Sequence, residues 1–253
     1  MKTLVADAIV LRTYRYGEAD RIVVFLTEDR GKKRGVAKNA TNSRRRFGAG
    51  LEPFTRGRVT YVEREGRELV RLERIEVVTS PMGASAGRPD GEAASALGYA
   101  SYFAELVDEW APEAMANERL YRLAASVGDA LGRAGSAECL ARYFEFWLLR
   151  LEGVYPALQA CARCGQTLAD GAVLDTGDWQ FVCARCGHGA LRVSKEAFRW
   201  LRSASVERPA VVTDTGAAAE VLRELEAVHA RLIAMHLERD VRSARVVREL
   251  RPS

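Results

Sequence analysis

The stretch "KKRGVAKNATNSRRRFGAGLEPFTRGRVTYVER" occupies residues 32–64. Residues 32–38 read as a strand, and residues 57–64, with alternating apolar and polar positions, read as another. Residues 43–54 between them, SRRRFGAGLEPF, are too polar and too rich in glycine for a strand, and a short helix or loop fits better. Working outward, residues 3–12 and 22–28 are runs of β-branched and apolar types, and the turn EDRG at 28–31 feeds the strand at 32–38. A further strand at 68–78 follows a turn at Glu65-Gly66. Five strands in under 80 residues, with an insertion between the third and the fourth, outline an OB-fold barrel. An SH3-like barrel is the alternative at this stage, because periodicity does not fix strand order.

Residues 81–92 read as a linker, with proline, glycine, alanine and serine and little apolar bulk. Beyond it the period changes from two to that of a helix. Helices are expected at 96–110, 118–133, 138–156, 194–204 and 217–239; Leu140, Phe144, Trp147 and Leu151 share one face of the third. The sequence thus divides into residues 1–80, an OB-fold barrel; a linker at 81–92; and residues 93–253, a helical domain with a cysteine-bearing element near residues 158–192. The expected class is α+β.

The chain has 253 residues and a formal net charge of +4, unevenly placed. Residues 1–80 hold 18 Lys and Arg against 11 Asp and Glu, whereas the remainder holds 20 against 23. A basic N-terminal part joined to a mildly acidic one suggests divided labour. No stretch approaches the roughly 20 apolar residues of a membrane span. The first residues, MKTLVADAIVLRTYRY, do not read as a signal peptide, so a cytoplasmic location is expected.

Two CARC motifs, at 161–164 and 183–186, are separated by 18 residues. Spacing of this kind is that of a metal site, because two intervening residues let one tight turn present two thiolates to one ion. Cys161, Cys164, Cys183 and Cys186 would complete a tetrahedral shell around one structural Zn²⁺, with no open position for a substrate. Disulfides are disfavoured in the cytosol. His188 could replace one thiolate, but it follows a complete set. Cys139 reads as a buried residue. His229 and His236, seven apart, read as structural or surface residues.

Residues 30–47 hold eight Lys or Arg and no carboxylate. Such crowding favours a polyanionic partner or a solvated loop. Lys32, Arg34 and Lys38 would share one strand face; Lys33, Arg44, Arg45, Arg46, Arg56 and Arg58 extend the charge into a groove suited to phosphate. OB-folds bind single strands with a basic groove and stacking aromatics. Tyr14, Tyr16 and Phe47 are the candidate stackers, while Phe54 and Tyr61 serve the core at least as readily. No carboxylate cluster or His-Glu-His pattern supports catalysis, so no catalytic residue is expected.

The segments YGEADRIVVFLTEDRGKKRGVAK and SRRRFGAGLEPF resemble the N-terminal signature of the RecO family of bacterial DNA repair and recombination mediators. The matching positions are Tyr16, Glu18 and Asp20; Thr27 and Gly31; Lys38; Ser43 and Arg44; and Leu51, Pro53 and Phe54. The resemblance spans the chain, since many members carry a four-cysteine element after three helices. In one departure, Asn39, Ala40 and Thr41 stand where the family usually has glycine and two basic residues, and the charge moves to Arg44–Arg46. The resemblance implies an OB-fold, a helical domain and a zinc element. It also implies binding of single- and double-stranded DNA, annealing of complementary strands, and work with RecR and single-strand-binding protein to load a RecA filament, with no membrane partner. The rival readings are a zinc-ribbon RNA-binding protein of transcription or translation and a metal-dependent enzyme.

Overall fold

The computed structural model describes residues 1–250 apart from 88, 133–135, 188 and 190, so His188 lies outside the described residues. The chain divides into two compact units. One is Met1–Arg133 together with Val241–Ser253, and the other is Ala134–Asp240.

The first unit is built on β1 (Lys2–Tyr16), β2 (Asp20–Thr27), β3 (Gly31–Ala37), β4 (Arg56–Glu63) and β5 (Val70–Thr79). They close in the order β1-β2-β3-β5-β4, the OB-like arrangement, with β3 and β5 parallel and the other pairs antiparallel. Strand order therefore supports the OB reading over the SH3-like one. The period-two pattern selects the interior: Leu4, Ala6, Ala8 and Val10 of β1 join Val23, Phe25, Val59, Tyr61, Val70 and Leu72 in one core. The insertion at 38–55 is a run of turns with a short 3-10 segment at Ala40–Asn42, and its Phe47 and Leu51 close one end of that core.

The turn between β2 and β3 explains two signature residues. The Thr27 hydroxyl donates to the Gly31 carbonyl (2.8 Å) and accepts from the Arg30 amide (3.0 Å). Gly31 has φ +68°, and a Cβ there would lie 2.2 Å from the Met115 carbonyl oxygen, so no other residue fits. β1 runs four residues past the expected end, because Tyr14, Arg15 and Tyr16 pair with Ile22, Arg21 and Asp20.

After β5 come α1 (Pro81–Ser85), α2 (Asp90–Trp110) and α3 (Glu118–Leu131). The expected linker is thus partly helical: Ser80 caps α1 by accepting from the Gly83 amide, with Pro81 opening the helix. α2 and α3 pack on β1, which is why Ile9 and Leu11, on the outside of the barrel, are also buried. Phe54 ties the layers together. Its amide donates to the Val10 carbonyl (2.7 Å), and its ring lies 5.6 Å from that of Phe103 on α2.

The second unit contains α4 (Ala137–Leu151), a three-stranded sheet of β6 (Ala172–Asp175), β7 (Gln180–Val182) and β8 (Arg192–Val193), then α5 (Lys195–Ala204), α6 (Pro209–Thr215) and α7 (Ala219–Leu237). α4 packs against α6 and α7. Between α4 and α7 lies a buried polar chain. Glu145 accepts from Arg142 (2.8 Å) and pairs with His229 Nδ1 (3.0 Å), and His229 Nε2 meets the Tyr155 hydroxyl (3.0 Å). Cys139 is buried, and burial pushes its thiol up to about 11. The final helix, α8 (Arg242–Glu249), belongs to the first unit and packs on α2. The Glu105 carboxylate of α2 caps it, accepting from the Arg242 amide (3.1 Å) and the Ser243 amide (2.8 Å). No helix among the described residues is long and apolar enough to cross a membrane.

Candidate nucleic-acid interface and thiol centre

The basic residues of β3 do not stand free. Lys32 is 8% exposed, and its ammonium donates to the Asp108 carbonyl (2.6 Å) and pairs with the carboxylates of Asp108 (3.3 Å) and Glu113 (3.4 Å). The backbone locks it there: the Lys32 amide donates to the Pro112 carbonyl, and its own carbonyl accepts from Ala114. Arg34, exposed, pairs with Glu113 (2.8 Å), and Lys33 pairs with Glu63 (2.9 Å). On β1, Arg12 pairs with Asp108 (3.0 Å), and against burial, which lowers it, Tyr14 and Asp108 hold its guanidinium above the ordinary value. Arg56 pairs with Asp129 of α3 (2.6 Å), and Arg58 lies 3.7 Å from Asp7. The acidic end of α2 and the segment after it thus occupy much of the expected groove.

Three further expectations shift. Lys38 lies beyond the end of β3, in the turn, so it does not share a strand face with Lys32 and Arg34. Phe47 is 2% exposed and forms part of the barrel core, so its ring has no free face for a base; Phe54 and Tyr61 are core as well. Arg46 is half-buried, donating to Ser43 Oγ (2.8 Å) and the Lys38 carbonyl (2.6 Å) and stacking over Phe47. Its role is to hold the insertion in shape.

What remains accessible gathers at one end of the barrel. Tyr14 and Tyr16 are 44% and 49% exposed. Lys38, Arg44 and Arg45 are exposed, with no side-chain hydrogen bond or ion pair among the described residues. The insertion is held against the β1–β2 turn by the Thr41 amide donating to the Ala19 carbonyl (3.1 Å) and the Asn39 amide to Asp20 Oδ1 (2.7 Å). Arg15 and Arg21 lie at this same end. Sequence reasoning left them out of the basic surface, although their symmetric places about a short turn were a usable signal.

The four cysteines of the second unit meet. Their Sγ atoms all lie within 4.8 Å of one another, and Cys164 and Cys183 are 3.8 Å apart. A tetrahedron with metal–sulfur bonds of about 2.3 Å has sulfur–sulfur edges of about 3.8 Å, so the cluster fits one ion. Each pair sits in a tight turn: the Gly165 amide donates to the Cys161 carbonyl (2.9 Å) and the Gly187 amide to that of Cys183 (3.0 Å). The two glycines serve different needs. Gly165 takes φ +73°, whereas a Cβ on Gly187 would lie 2.4 Å from Val182. Hydrogen bonding from the Cys183 backbone, with smaller help from Cys164 and Arg163, holds the Cys161 thiol down to about 6 against desolvation. A thiol so lowered is a ready thiolate ligand. The Arg163 guanidinium donates to the Cys186 carbonyl (2.6 Å) and to Asp175, bracing the two turns against each other.

Fold and site together define a class: an OB-like barrel continued into a helical unit with a four-cysteine centre that could hold a metal ion. Comparison with known proteins narrows it. The family described as "Recombination protein O N terminal" matches residues 1–81, and that described as "Recombination protein O C terminal" matches residues 91–245. A protein of Geobacter metallireducens named DNA repair protein RecO is 36% identical over the full length of both chains. Proteins of the same name from Koribacter versatilis and an Anaeromyxobacter strain are 42% and 40% identical, over 71% and 73% of this chain and 70% of theirs. The chain belongs to the RecO family of DNA repair proteins.

Proposed function

We propose that the chain is a non-catalytic recombination mediator. It binds single- and double-stranded DNA at the end of the barrel that carries Tyr14, Tyr16, Lys38, Arg44 and Arg45, and it anneals complementary strands there. With RecR it then helps load RecA onto strands coated by single-strand-binding protein, in the cytoplasm at the nucleoid. The single observation that carries this reading is the contrast in pairing. The cations of the β3 face already face carboxylates, whereas Lys38, Arg44 and Arg45 of the barrel end are exposed and have none among the described residues. Two complementary strands repel, and a surface that neutralises both lowers the cost of bringing them together. The four cysteines hold one Zn²⁺ that fixes the two CARC turns, and the ion's role is structural because four thiolates leave no open position.

The test is binding of oligodeoxythymidine across a range of salt concentrations. Each phosphate neutralised on a single strand contributes about 0.7 to the slope of log K against log salt. Replacing Arg44 and Arg45 together by Ala is expected to flatten the slope by about 1.4 and to slow annealing, with the melting temperature unchanged. An unchanged slope and annealing rate would remove the insertion from the interface. Stronger binding to the RNA strand of the same sequence would favour an RNA ligand instead.

A further inference from the structure

Arg15 and Arg21 are directly opposed partners across the β1–β2 ladder. Like charges in that position destabilise a sheet, and directly opposed side chains have Cβ atoms about 4.5–5.5 Å apart. Arg15 is exposed and Arg21 half-buried, and neither makes a side-chain hydrogen bond or ion pair among the described residues. The nearest carboxylate in sequence, Asp20, is engaged elsewhere: its Oδ1 accepts from the Asn39 amide (2.7 Å), and strand alternation puts it on the opposite face from Arg21. Glu18 is exposed in the turn.

The register shows which way the pair faces. Arg21 is also paired with Ala37, which is fully buried in the barrel core, so the row Arg15–Arg21–Ala37 lies on the inner face where it runs out at the mouth of the barrel. Thr13, two residues before Arg15 and on the same face, donates to the Leu51 carbonyl of the insertion (2.8 Å). The two guanidinium groups are therefore on the insertion side, with Lys38 next in the chain after Ala37. Tyr14 and Tyr16 alternate to the other face of the same strand.

We propose that Arg15 and Arg21 form a fork that grips one backbone phosphate of a nucleic-acid strand. The pair sits in an arrangement that is unfavourable in the free protein and becomes favourable once an anion lies between the two charges. Guanidinium groups suit this, since each presents a planar set of donors to phosphate oxygens. The fork also fixes the path of the strand: its backbone turns over the barrel mouth between the β1–β2 turn and the insertion, leaving bases free to reach Tyr14 and Tyr16. This inference rests on the DNA-binding reading above and names a phosphate contact within it.

The experiment uses the full chain with Arg15→Gln, Arg21→Gln and the double variant, and Arg122→Gln at an exposed position of α3 as the control. Oligodeoxythymidine is the probe, with inorganic phosphate in a parallel arm. For the double variant the salt slope is expected to flatten by about 0.7, the value for one phosphate. The second substitution is expected to cost less affinity than the first, because both arginines hold the same group. Thermal melting without DNA should stay level or rise, since a repulsion is removed. The control should leave the slope unchanged. If the Arg44 and Arg45 replacement flattens the slope while the fork variants do not, the fork is overturned and the DNA-binding reading stands. If wild-type protein does not bind the oligonucleotide, both fall. A lower melting temperature in either single variant would make the pair structural and overturn the fork. Equal protection by inorganic phosphate at matched ionic strength would make it a site for free anions rather than for a strand.

Discussion

The β3 face and the mouth of the barrel carry cations of the same kinds, a few residues apart in sequence, in opposite situations. On the face, Lys32 is closed in by Asp108 and Glu113, and the exposed Arg34 is paired with Glu113. At the mouth, Arg15, Arg21, Lys38, Arg44 and Arg45 meet no carboxylate among the described residues. Charge counted along a chain therefore differs from charge available to a ligand. Pairs inside the fold spend their attraction on architecture, and the unpaired ones are left for a partner.

The largest effect expected from breaking a charge arrangement lies with the four thiols, which as thiolates repel one another unless a cation sits between them. With zinc held as proposed, Cys161→Ser should release it, read as loss of about one zinc ion per chain by atomic absorption, and should unfold the two CARC turns, read as new proteolytic cleavage between α4 and α5. Structural zinc binding contributes directly to folding, so this should exceed any single ion pair. Retention of metal by the variant would remove Cys161 from the ligand set. Next is Lys32→Ala. Asp108, with only 12% of its side chain exposed, keeps Arg12 (3.0 Å) as a partner, so the loss should stay below the cost of about 3–5 kcal/mol for a buried charge left unpaired while clearly exceeding that of a surface site. Lys38→Ala should stay within about 0.5 kcal/mol, as for most surface sites, while weakening DNA binding. Urea titration of both variants checks the contrast, and equal destabilisation would dissolve it.

A smaller effect concerns pH. His229 is fully buried, and desolvation holds its pKa below the ordinary value even though Glu145 pulls it up. The folded protein thus keeps this imidazole neutral, while the unfolded chain protonates near the usual value of about 6.5. The resulting stability is fully present above that pH and is lost as pH falls below it toward the lowered folded value. Urea midpoints measured between pH 7.5 and pH 5 should fall, and His229→Gln should fall less steeply from a lower start. A parallel fall in both would assign the pH dependence to other groups.

Local patterns made much of this legible in advance. Runs of β-branched and apolar residues between turns marked all five strands of the barrel, and the two CARC motifs found the thiol cluster, because both signals are short-range. The parallel closure of β3 on β5 has no local mark, and neither has the union of Lys32 with Asp108, 76 residues away. Phe47 looked like a stacking ring because its neighbours are arginines; one of them, Arg46, lies over its face while the ring fills the core. α6 and α8 escaped for a different reason. PAVVTDT is short and β-branched, and RSARVVRE is so charged that only Val247 is buried. The signature residues Thr27, Gly31, Asp20 and Phe54 proved to be architectural, fixing a turn, the insertion and the helix layer.

The capping of α8 by Glu105 bears on how the molecule is made. A ribosome releases the chain from its N-terminus, so the barrel, α2 and α3 emerge first, followed by the whole second unit, and only then the helix that completes the first. During that interval the flank of α2 that later receives Val247 stands open, and Gly98, which meets Leu250 in the finished structure, has no neighbour there. The first unit to begin is the last to be completed, and a nascent chain halted anywhere in the second unit lacks the helix that covers this flank of α2.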